Sequence, residues 1–288
     1  MNKEKYTEVD NYILIAGLGI SGLITACLLA KHDFPVKCFE PASKSNKKKL
    51  VDRRTTAFLN PAVEIFKEIG VWEEMEKFAQ PLSNMEIIDV SNGESTRSVK
   101  TPFYAKEISL NEFGFNIPNK EVKNILSNYL ENKKNVHCNY EDKIISHYGY
   151  DDFISVKTKK GKSFNGKLLI ACDGKDSLIR AREKIRTFST SYNQLALVFE
   201  VFHSFNHNNT TTELLNKGGP FTIIPLKRNK GCNYSTIVWM DYSKNIRESY
   251  DLDQSTFNKI LQGKSQNLRG DIKLNSEKQI WPIVTQFA

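Results

Sequence analysis

Paired cysteines and metal-binding motifs are missing from this 288-residue sequence. Its cysteines are odd in number and form no Cys-x-x-Cys pair; they are Cys27, Cys38, Cys138, Cys172 and Cys232. A disulfide framework and a zinc site are therefore both disfavoured, and a reducing cytoplasm is the expected location. The sequence also lacks a His-Glu-x-x-His motif, a nucleophile triad and a paired-carboxylate site, so we name no catalytic side chain and expect no metal.

The charge balance is only moderately basic, and no nucleic-acid-binding motif accompanies it. Lysine and arginine total 41 against 33 acidic residues, a net charge of +8, and the densest basic cluster is Lys44–Lys49. We interpret this cluster as a solvated loop, with attraction to anionic lipid as the alternative. Helix-turn-helix, zinc-finger and aromatic RNA-binding patterns are lacking, so nucleic acid is not an expected partner. The length and a hydrophobic content of 40% fit one large globular domain or two intermeshed ones.

One long run, Ile13–Ala30, contains no charged side chain. Its length meets the minimum for a membrane-spanning helix, so a membrane anchor, a secretion signal and a nucleotide-binding loop are the three interpretations. A secretion signal needs a basic leader, but the preceding segment MNKEKYTEVDN mixes lysines with acidic residues. The surrounding pattern decides between the other two.

The run begins as a buried strand, Tyr12–Ala16, and continues through the loop Gly17–Gly22 into a helix, Leu23–Lys31. A second strand, Val36–Phe39, ends at Glu40. Strand, G-x-G-x-x-G loop, helix, strand and acidic residue together form a dinucleotide-binding unit, because the glycines let a diphosphate approach the helix N-terminus and the acid binds a ribose. The expected cofactor-binding residues here are Gly17, Gly19, Ile20, Ser21, Gly22, Glu40 and Pro41.

A second motif indicates which dinucleotide binds. In KLLIACDGKDSLIR an apolar strand, Leu168–Cys172, leads to Asp173-Gly174, followed by Ser177 and Arg180. This pattern resembles the Asp-Gly motif of the FAD-dependent aromatic hydroxylases of the para-hydroxybenzoate hydroxylase class. The resemblance implies that Asp173 and Gly174 lie beside FAD and that the motif also serves NAD(P)H. The alternative is an ordinary helix cap at Asp173.

Two further segments resemble the ubiquinone-biosynthesis hydroxylases of this class. The first is residues 52–75, DRRTTAFLNPAVEIFKEIGVWEEM, which are similar to the D-x-R-x-x-A-L segment of these enzymes and the amphipathic helix after it. This resemblance implies that Arg54 lies beside the cofactor. The second is residues 113–130, FGFNIPNKEVKNILSNYL, which are similar to a segment of these enzymes that opens a helix. In that segment the first polar residue of the helix approaches the flavin, and the matching residue here is Asn119. Arg54 could instead pair with Asp52, and Asn119 could cap its helix.

From about residue 185 the sequence predicts long strands. One predicted strand is Tyr192–Phe205. A hairpin is predicted from two further strands, Gly218–Leu226 and Tyr234–Tyr242. An earlier hairpin, MEIIDV and STRSVK, is predicted around Asn92-Gly93. Asp253–Gln262 predicts a capped surface helix, and QIWPIVTQFA predicts a last strand.

The order of Y-x-Q-x-A, a histidine and G-P-x-x-x-x-P-L in this half again resembles the ubiquinone hydroxylases. His203 and His207 are four residues apart, but a strand-and-loop setting without an acidic or cysteine partner argues against a metal site.

The predicted fold class is α/β: a Rossmann-like FAD-binding domain with a mostly parallel sheet, interleaved with a mixed or antiparallel β-sheet substrate domain. We expect residues 1–82 and 108–184 to form the first domain and residues 83–107 and 185–288 the second. The family pattern continues beyond the motifs found here, so the chain is expected to be either a fragment of a longer protein or a short form.

The resemblance implies an FAD-dependent monooxygenase that uses NAD(P)H and O2 to hydroxylate a phenolic, prenylated ubiquinone precursor. Such a substrate implies a location at the inner face of the membrane or in a biosynthetic complex. The alternatives are a non-catalytic nucleotide-binding protein and another FAD-dependent oxidoreductase of the prenyl reductase or halogenase type. The tryptophan-rich halogenase signature is missing, as is the redox cysteine pair of a disulfide reductase.

Overall fold

The computed structural model describes residues 11–44, 52–91, 99–229 and 231–288. Strands and helices alternate through the first half of the chain. In chain order these elements are β1 (Ile13–Ala16), α1 (Ile20–Lys31), β2 (Val36–Glu40), β3 (Thr55–Leu59), α2 (Asn60–Ile69), α3 (Trp72–Glu76), β4 (Gln80–Leu82), β5 (Asn84–Asp89), β6 (Val99–Tyr104), a 3-10 helix (Ala105–Ile108), β7 (Gly114–Pro118), α4 (Asn119–Glu131), β8 (Val136–Tyr140), β9 (Ile144–Gly149), β10 (Ile154–Thr158), β11 (Ser163–Gly166), β12 (Leu168–Ala171) and α5 (Leu178–Arg182).

Longer strands follow. They are β13 (Phe188–His203), β14 (Thr210–Asn216), β15 (Gly219–Asn229) and β16 (Cys232–Tyr242), then α6 (Ser243–Asp251), α7 (Gln254–Lys264), β17 (Ile272–Leu274) and β18 (Gln279–Phe287).

A four-stranded parallel sheet in the order β12-β1-β2-β8 forms the centre of the first half. Successive side chains of a strand leave on opposite faces. Ile15 and Cys38 therefore enter the core beneath α1, α2 and α4, whereas Leu14 and Phe39 pack towards the three-stranded antiparallel sheet β11-β10-β9. Burial on both faces explains why the central strand β1, with the sequence ILIA, is continuously apolar.

The uncharged run Ile13–Ala30 comprises β1, the glycine loop and most of α1, as the nucleotide-binding interpretation expects. Helix α1 begins at Ile20, three residues earlier than the sequence predicted, because the last glycine of the loop already lies in its first turn. Across the described ranges, no helix is both long and apolar enough to span a membrane.

Strands of the second half join β5 and β6 in a large mixed sheet in the order β17-β13-β16-β15-β14-β5-β6, with β18 also paired to β13. Most neighbours are antiparallel, but β14 and β5 run parallel. Leu197 and Phe199 of β13 pack with Trp239 of β16 beneath α6 and α7. The predicted α/β fold with a parallel sheet and a mixed sheet is therefore confirmed.

Helix α7 corrects one sequence prediction. Its N-cap is Asp253, whose carboxylate accepts hydrogen bonds from the backbone N–H groups of Ser255 and Thr256, so the predicted cap is confirmed. The helix is not confined to the surface, however, because Phe257 and Leu261 are fully buried in the core of the mixed sheet.

Both predicted hairpins contain antiparallel strand pairs. Strands β15 and β16 pair as expected. Strands β5 and β6 pair from Asn84 opposite Tyr104 to Asp89 opposite Val99, and residues 95–98 of the predicted second strand lie outside the described residues. The turn at Asn92-Gly93 and most of the basic cluster Lys44–Lys49 lie outside the described residues. The domain division at residues 82, 107 and 184 stays a prediction.

Candidate functional site

The carboxyl ends of three parallel strands meet at the glycine loop. The N–H of Gly17 donates to the carbonyl of Phe39 at 2.8 Å, and the N–H of Cys172 donates to the carbonyl of Ala16 at 2.8 Å. These bonds hold the loop between the ends of β2 and β12. In open α/β sheets, ligands bind in the crevice outside such strand ends.

Two glycines of the loop are required by close backbone packing. Gly17 has a φ of +92°, and a Cβ atom there would lie 2.4 Å from the carbonyl oxygen of Cys172. A Cβ atom on Gly22 would lie 2.0 Å from the carbonyl oxygen of Gly17. Any side chain at either position would push the loop away from β12 or from α1.

Gly19 is different, because a Cβ atom there would meet no described atom within 4 Å. This residue is exposed and is the N-cap of α1, and the first turn of the helix carries no acidic side chain. The first N–H groups of a helix lack partners inside the helix and attract anions. The open space beside Gly19 therefore fits a diphosphate group.

Glu40 links β2 to the glycine loop. One carboxylate oxygen accepts the N–H of Leu18 at 2.7 Å, and the other accepts the N–H of Ala42 at 2.9 Å. Each oxygen has a second lone pair for a ribose hydroxyl. The sequence suggested only the ribose contact, whereas the structure also gives Glu40 a role in fixing the loop.

Asp173 has one carboxylate oxygen bonded at the start of α5 and one without a partner among the described residues. Its Oδ2 accepts the N–H of Leu178 at 2.9 Å, but the N-cap of α5 is Ser177, whose hydroxyl accepts the N–H of Arg180. Its Oδ1 is buried without a hydrogen-bond partner among the residues described here. A buried, unpaired carboxylate oxygen is costly, so this atom fits a ligand hydroxyl or N–H group. Gly174, next to it, has a φ of +90° and leaves the cleft open.

These features surround a cleft of about 360 Å³. Of the predicted cofactor-binding residues, the cleft is lined by Gly17, Gly19, Glu40, Pro41, Asp173 and Gly174. Ile20, Ser21 and Gly22 do not line it, since they form the first turn of α1 behind the loop. The sequence analysis missed Lys143, Ile144 and Leu178, which also line the cleft. Lys143 brings an exposed positive charge to a cleft suited to a diphosphate.

Arg54 and Asn119 lie in a separate cluster and do not line this cleft. The guanidinium of Arg54 forms two hydrogen bonds of 2.9 Å to Asp52 and stacks 3.6 Å from the ring centroid of Trp281. Burial raises the pKa of Asp52, but the hydrogen bonds and charge of Arg54 outweigh it and lower the pKa to about 2. The alternative pairing of Arg54 with Asp52 is therefore confirmed, and its contact with a cofactor stays a prediction.

The alternative that Asn119 caps α4 is wrong. Asn119 is the first residue of the helix after the N-cap Pro118, and no side-chain capping hydrogen bond is formed. Its Oδ1 instead accepts a 2.6 Å hydrogen bond from the hydroxyl of Thr56, and its N–H donates to the carbonyl of Arg54. The buried Asn119 thus fixes β3 to the start of α4, and its approach to a flavin stays a prediction.

A second cleft, of about 490 Å³, lies beside Pro118, between the end of α3 and the mixed sheet. Phe78, Leu226 and Tyr234 give it an apolar lining, and its charged residues are Lys77, Glu200, Lys227 and Arg228. Glu200 forms a 3.3 Å ion pair with Arg53. The sequence analysis had no pattern that could place these residues together.

The two histidines examined for metal binding are engaged in hydrogen bonds. The ring nitrogens of His203 lie 2.8 Å from the carbonyl oxygen of Phe205 and 2.9 Å from the hydroxyl of Ser235. Those of His207 contact the carbonyl of Leu226 and the N–H of Asn209. All four ring nitrogens of these two histidines are therefore occupied by hydrogen-bond contacts.

Comparison with known proteins decides the family. A sequence model of the FAD binding domain family matches residues 10–288. The chain belongs to this family. The resemblance drawn from the sequence motifs is thereby confirmed, and so is the expectation of FAD as the cofactor of the family.

The curated relatives of this FAD binding domain chain include hydroxylases of ubiquinone biosynthesis. It is 24% identical over 252 residues to the 3-demethoxyubiquinol 3-hydroxylase of Escherichia coli, covering 86% of this chain and 62% of that protein. It is 23% identical to the ubiquinone hydroxylase UbiL of Rhodospirillum rubrum, covering 80% of this chain and 52% of that protein. The chain thus spans about half to two thirds of the length of these relatives.

Solved structures share the fold. PqsL of Pseudomonas aeruginosa, in complex with 2-aminobenzoylacetate, superposes with a TM-score of 0.72 at 18% identity, covering 95% of this chain and 74% of that one. The p-nitrophenol 4-monooxygenase PnpA of Pseudomonas putida superposes with a TM-score of 0.69 at 16% identity, covering 96% and 69%. At these sequence identities, the two superpositions show a shared fold and carry no statement about activity.

Proposed function

We propose that this chain binds FAD and belongs to a monooxygenase that hydroxylates a phenolic, prenylated quinone precursor with NAD(P)H and O2. The observation that carries the proposal is the cleft at the strand ends, where an open glycine, a helix N-terminus and two carboxylates converge. The names of the relatives add the substrate class, since they are hydroxylases of ubiquinone intermediates.

The residues of the cleft fit the adenosine diphosphate half of FAD. Gly19 and the first N–H groups of α1 would hold the diphosphate, with the charge of Lys143 nearby. Glu40 would accept the ribose hydroxyls through its remaining lone pairs. The unpaired Oδ1 of Asp173 would accept a hydrogen bond from a hydroxyl of the cofactor, which removes the cost of its burial.

FAD, when bound, supplies the electron transfer and oxygen chemistry, which no amino-acid side chain provides. The protein's own contribution is therefore to bind, to orient and to exclude water. The second cleft offers an apolar lining for an aromatic substrate, and the carboxylate of Glu200 offers an acceptor for its hydroxyl group. Arg53 holds this carboxylate in place.

Reconstitution with FAD tests the proposal. The purified protein, incubated with FAD and desalted, is expected to be yellow, to oxidise NAD(P)H in the presence of O2 and to add one oxygen atom to a prenylated phenol, as read by mass spectrometry. Gly19→Ala is the matched control, because it should fold but bind FAD weakly. A colourless protein that FAD cannot reconstitute would contradict the proposal and favour a non-catalytic protein.

A membrane-derived substrate also implies docking at a lipid surface, and the basic cluster is the candidate contact. Neutralising Lys47, Lys48 and Lys49 is expected to weaken binding to vesicles that contain anionic phospholipid. Unchanged vesicle sedimentation would refute this part and leave the FAD assignment intact.

A further inference from the structure

Four cysteines lie together beneath the glycine loop, although they are far apart in sequence. Cys27 comes from α1, Cys38 from β2, Cys138 from β8, and Cys172 follows β12. All four are free thiols, and the other three lie close enough to Cys38 to raise its pKa. The proposed function gives no role to Cys27, Cys38 or Cys138.

Two of these thiols have the geometry of a potential disulfide. Cys38 and Cys138 are direct partners in the parallel pairing of β2 with β8. Neighbouring strands lie about 4.8 Å apart, which is inside the Cα separation that disulfides span. Paired residues of a parallel ladder leave the sheet on the same face, so these two side chains lie side by side.

The two thiols differ in exposure and in ionisation. Cys38 is wholly buried in the core, whereas Cys138 is half-buried on β8, the edge strand of its sheet. The neighbouring Cys38 thiol lowers the pKa of Cys138 more than burial raises it. The charge of Lys44 lowers this pKa further, and the charge of Glu131, which pairs with Lys44, raises it. Because the thiolate is the reactive form, Cys138 is the thiol that an oxidant would reach first.

We propose that Cys38 and Cys138 are a peroxide-reactive dithiol, and that their disulfide weakens nucleotide binding in the adjacent cleft. Hydrogen peroxide is the oxidant. The sulfur of Cys138 attacks one peroxide oxygen, the O–O bond breaks, and the products are Cys138 sulfenic acid and water. The sulfur of Cys38 then attacks the sulfur of Cys138, the S–O bond breaks, and the Cys38 proton leaves in a second water. The two thiols are oxidised by two electrons, and one peroxide is reduced.

The link to the cleft runs along β2. Cys38 lies two residues before Glu40, whose carboxylate accepts the N–H of Leu18 in the glycine loop. The strands are close enough for the bond, but a disulfide holds its two Cβ atoms about 3.8 Å apart, which is less than the strand spacing of about 4.8 Å. The bond would therefore draw β2 towards β8 and away from that loop. The Glu40 contacts to the loop and to a ribose are hydrogen bonds to a charged group, so their loss is expected to lower the affinity about tenfold or more. This second part rests on the proposed function.

Mass spectrometry and calorimetry test the two parts separately. The reduced protein is treated with hydrogen peroxide, and its intact mass is expected to fall by two hydrogen atoms, with the Cys38 and Cys138 peptides linked. The dissociation constant for ADP is expected to rise about tenfold or more and to recover after dithiothreitol. Cys138→Ser should abolish both changes, and Cys38→Ala should instead accumulate the Cys138 sulfenic acid.

Cys232→Ser is the matched control, because Cys232 lies in the mixed sheet and its loss should leave the bridge intact. A peptide map without the Cys38–Cys138 link would refute the dithiol. A linked protein with unchanged ADP affinity would refute the coupling to the cleft. If the reduced protein fails to bind ADP, the proposed function fails, whereas the peptide map still decides whether the dithiol reacts.

Discussion

The three glycines of the loop are expected to respond differently to the same small change. Gly17→Ala introduces a methyl group 2.4 Å from the carbonyl oxygen of Cys172 at a φ of +92°. An L-residue on that side of the backbone map costs about 1–2 kcal/mol, and forcing an atom into packed surroundings costs about 1–3 kcal/mol more. Gly17→Ala should therefore lower the free energy of unfolding by about 2–5 kcal/mol.

Gly19→Ala should have the opposite profile. No described atom lies within 4 Å of the added methyl group, so the free energy of unfolding should change by less than about 0.5 kcal/mol. The methyl group would, however, occupy the space proposed for the diphosphate. ADP affinity should fall about tenfold or more, which corresponds to about 1.4 kcal/mol or more.

Thermal unfolding and ADP calorimetry on the purified variants separate the two effects. For a chain of this size, each kcal/mol lowers the melting temperature by about 2–4 °C, so Gly17→Ala should melt about 4–20 °C below the parent. Gly161→Ala is the control for backbone conformation, because Gly161 has a φ of +79° in a hairpin but a Cβ there would meet no described atom within 4 Å. Gly161→Ala should therefore lose only the part of the unfolding free energy that comes from backbone conformation. Normal ADP binding by Gly19→Ala would refute the placement of the diphosphate, and a parent-like melting temperature for Gly17→Ala would refute the loop conformation.

Substitutions at three other residues test the remaining groups. Glu40→Gln should weaken ADP binding about tenfold or more in calorimetry, since it removes the charge from the ribose acceptor, and unchanged affinity would exclude that role. Asp173→Asn can still accept the N–H of Leu178, so it should keep the melting temperature but lower FAD affinity, whereas Asp173→Ala should lower both; equal behaviour of the two variants would contradict the role of Oδ1. Burial lowers the pKa of His203 from 6.5 to about 4, so folding stability should fall as the pH drops from about 6.5 towards 4. Urea unfolding at several pH values should show this slope reduced in His203→Gln, and an unreduced slope would assign it to other groups.

The sequence analysis could group most residues of this cleft because its elements are local, while their binding of a nucleotide stays a prediction. The glycine spacing, the acidic residue at the end of β2 and the Asp-Gly turn after β12 each have requirements that act over a few residues. Parallel strands bring these three short segments to one edge of a sheet without any further information. The cleft lining by Gly17, Gly19, Glu40 and Asp173 follows from that topology.

Contacts between distant segments were beyond such reasoning. The stacking of Arg54 on Trp281 joins residues at opposite ends of the chain, and it depends on how β18 pairs with β13. Lys143 enters the cleft from the start of β9 without belonging to any motif. Asn119 has the residue type of a helix cap, but the hydroxyl of Thr56 competes for its side chain, and local propensity could not show that.

The cysteines show how a sound inference from spacing can still miss a site. Spacing along the chain excluded a Cys-x-x-Cys motif, yet the pairing of β2 with β8 places Cys38 opposite Cys138. That pairing depends on register, because a shift of one residue would turn one of the thiols to the other face of the sheet. A register set by the burial of Val36 and Phe39 thus decides whether this chain has a dithiol two residues from the carboxylate that fixes its nucleotide loop.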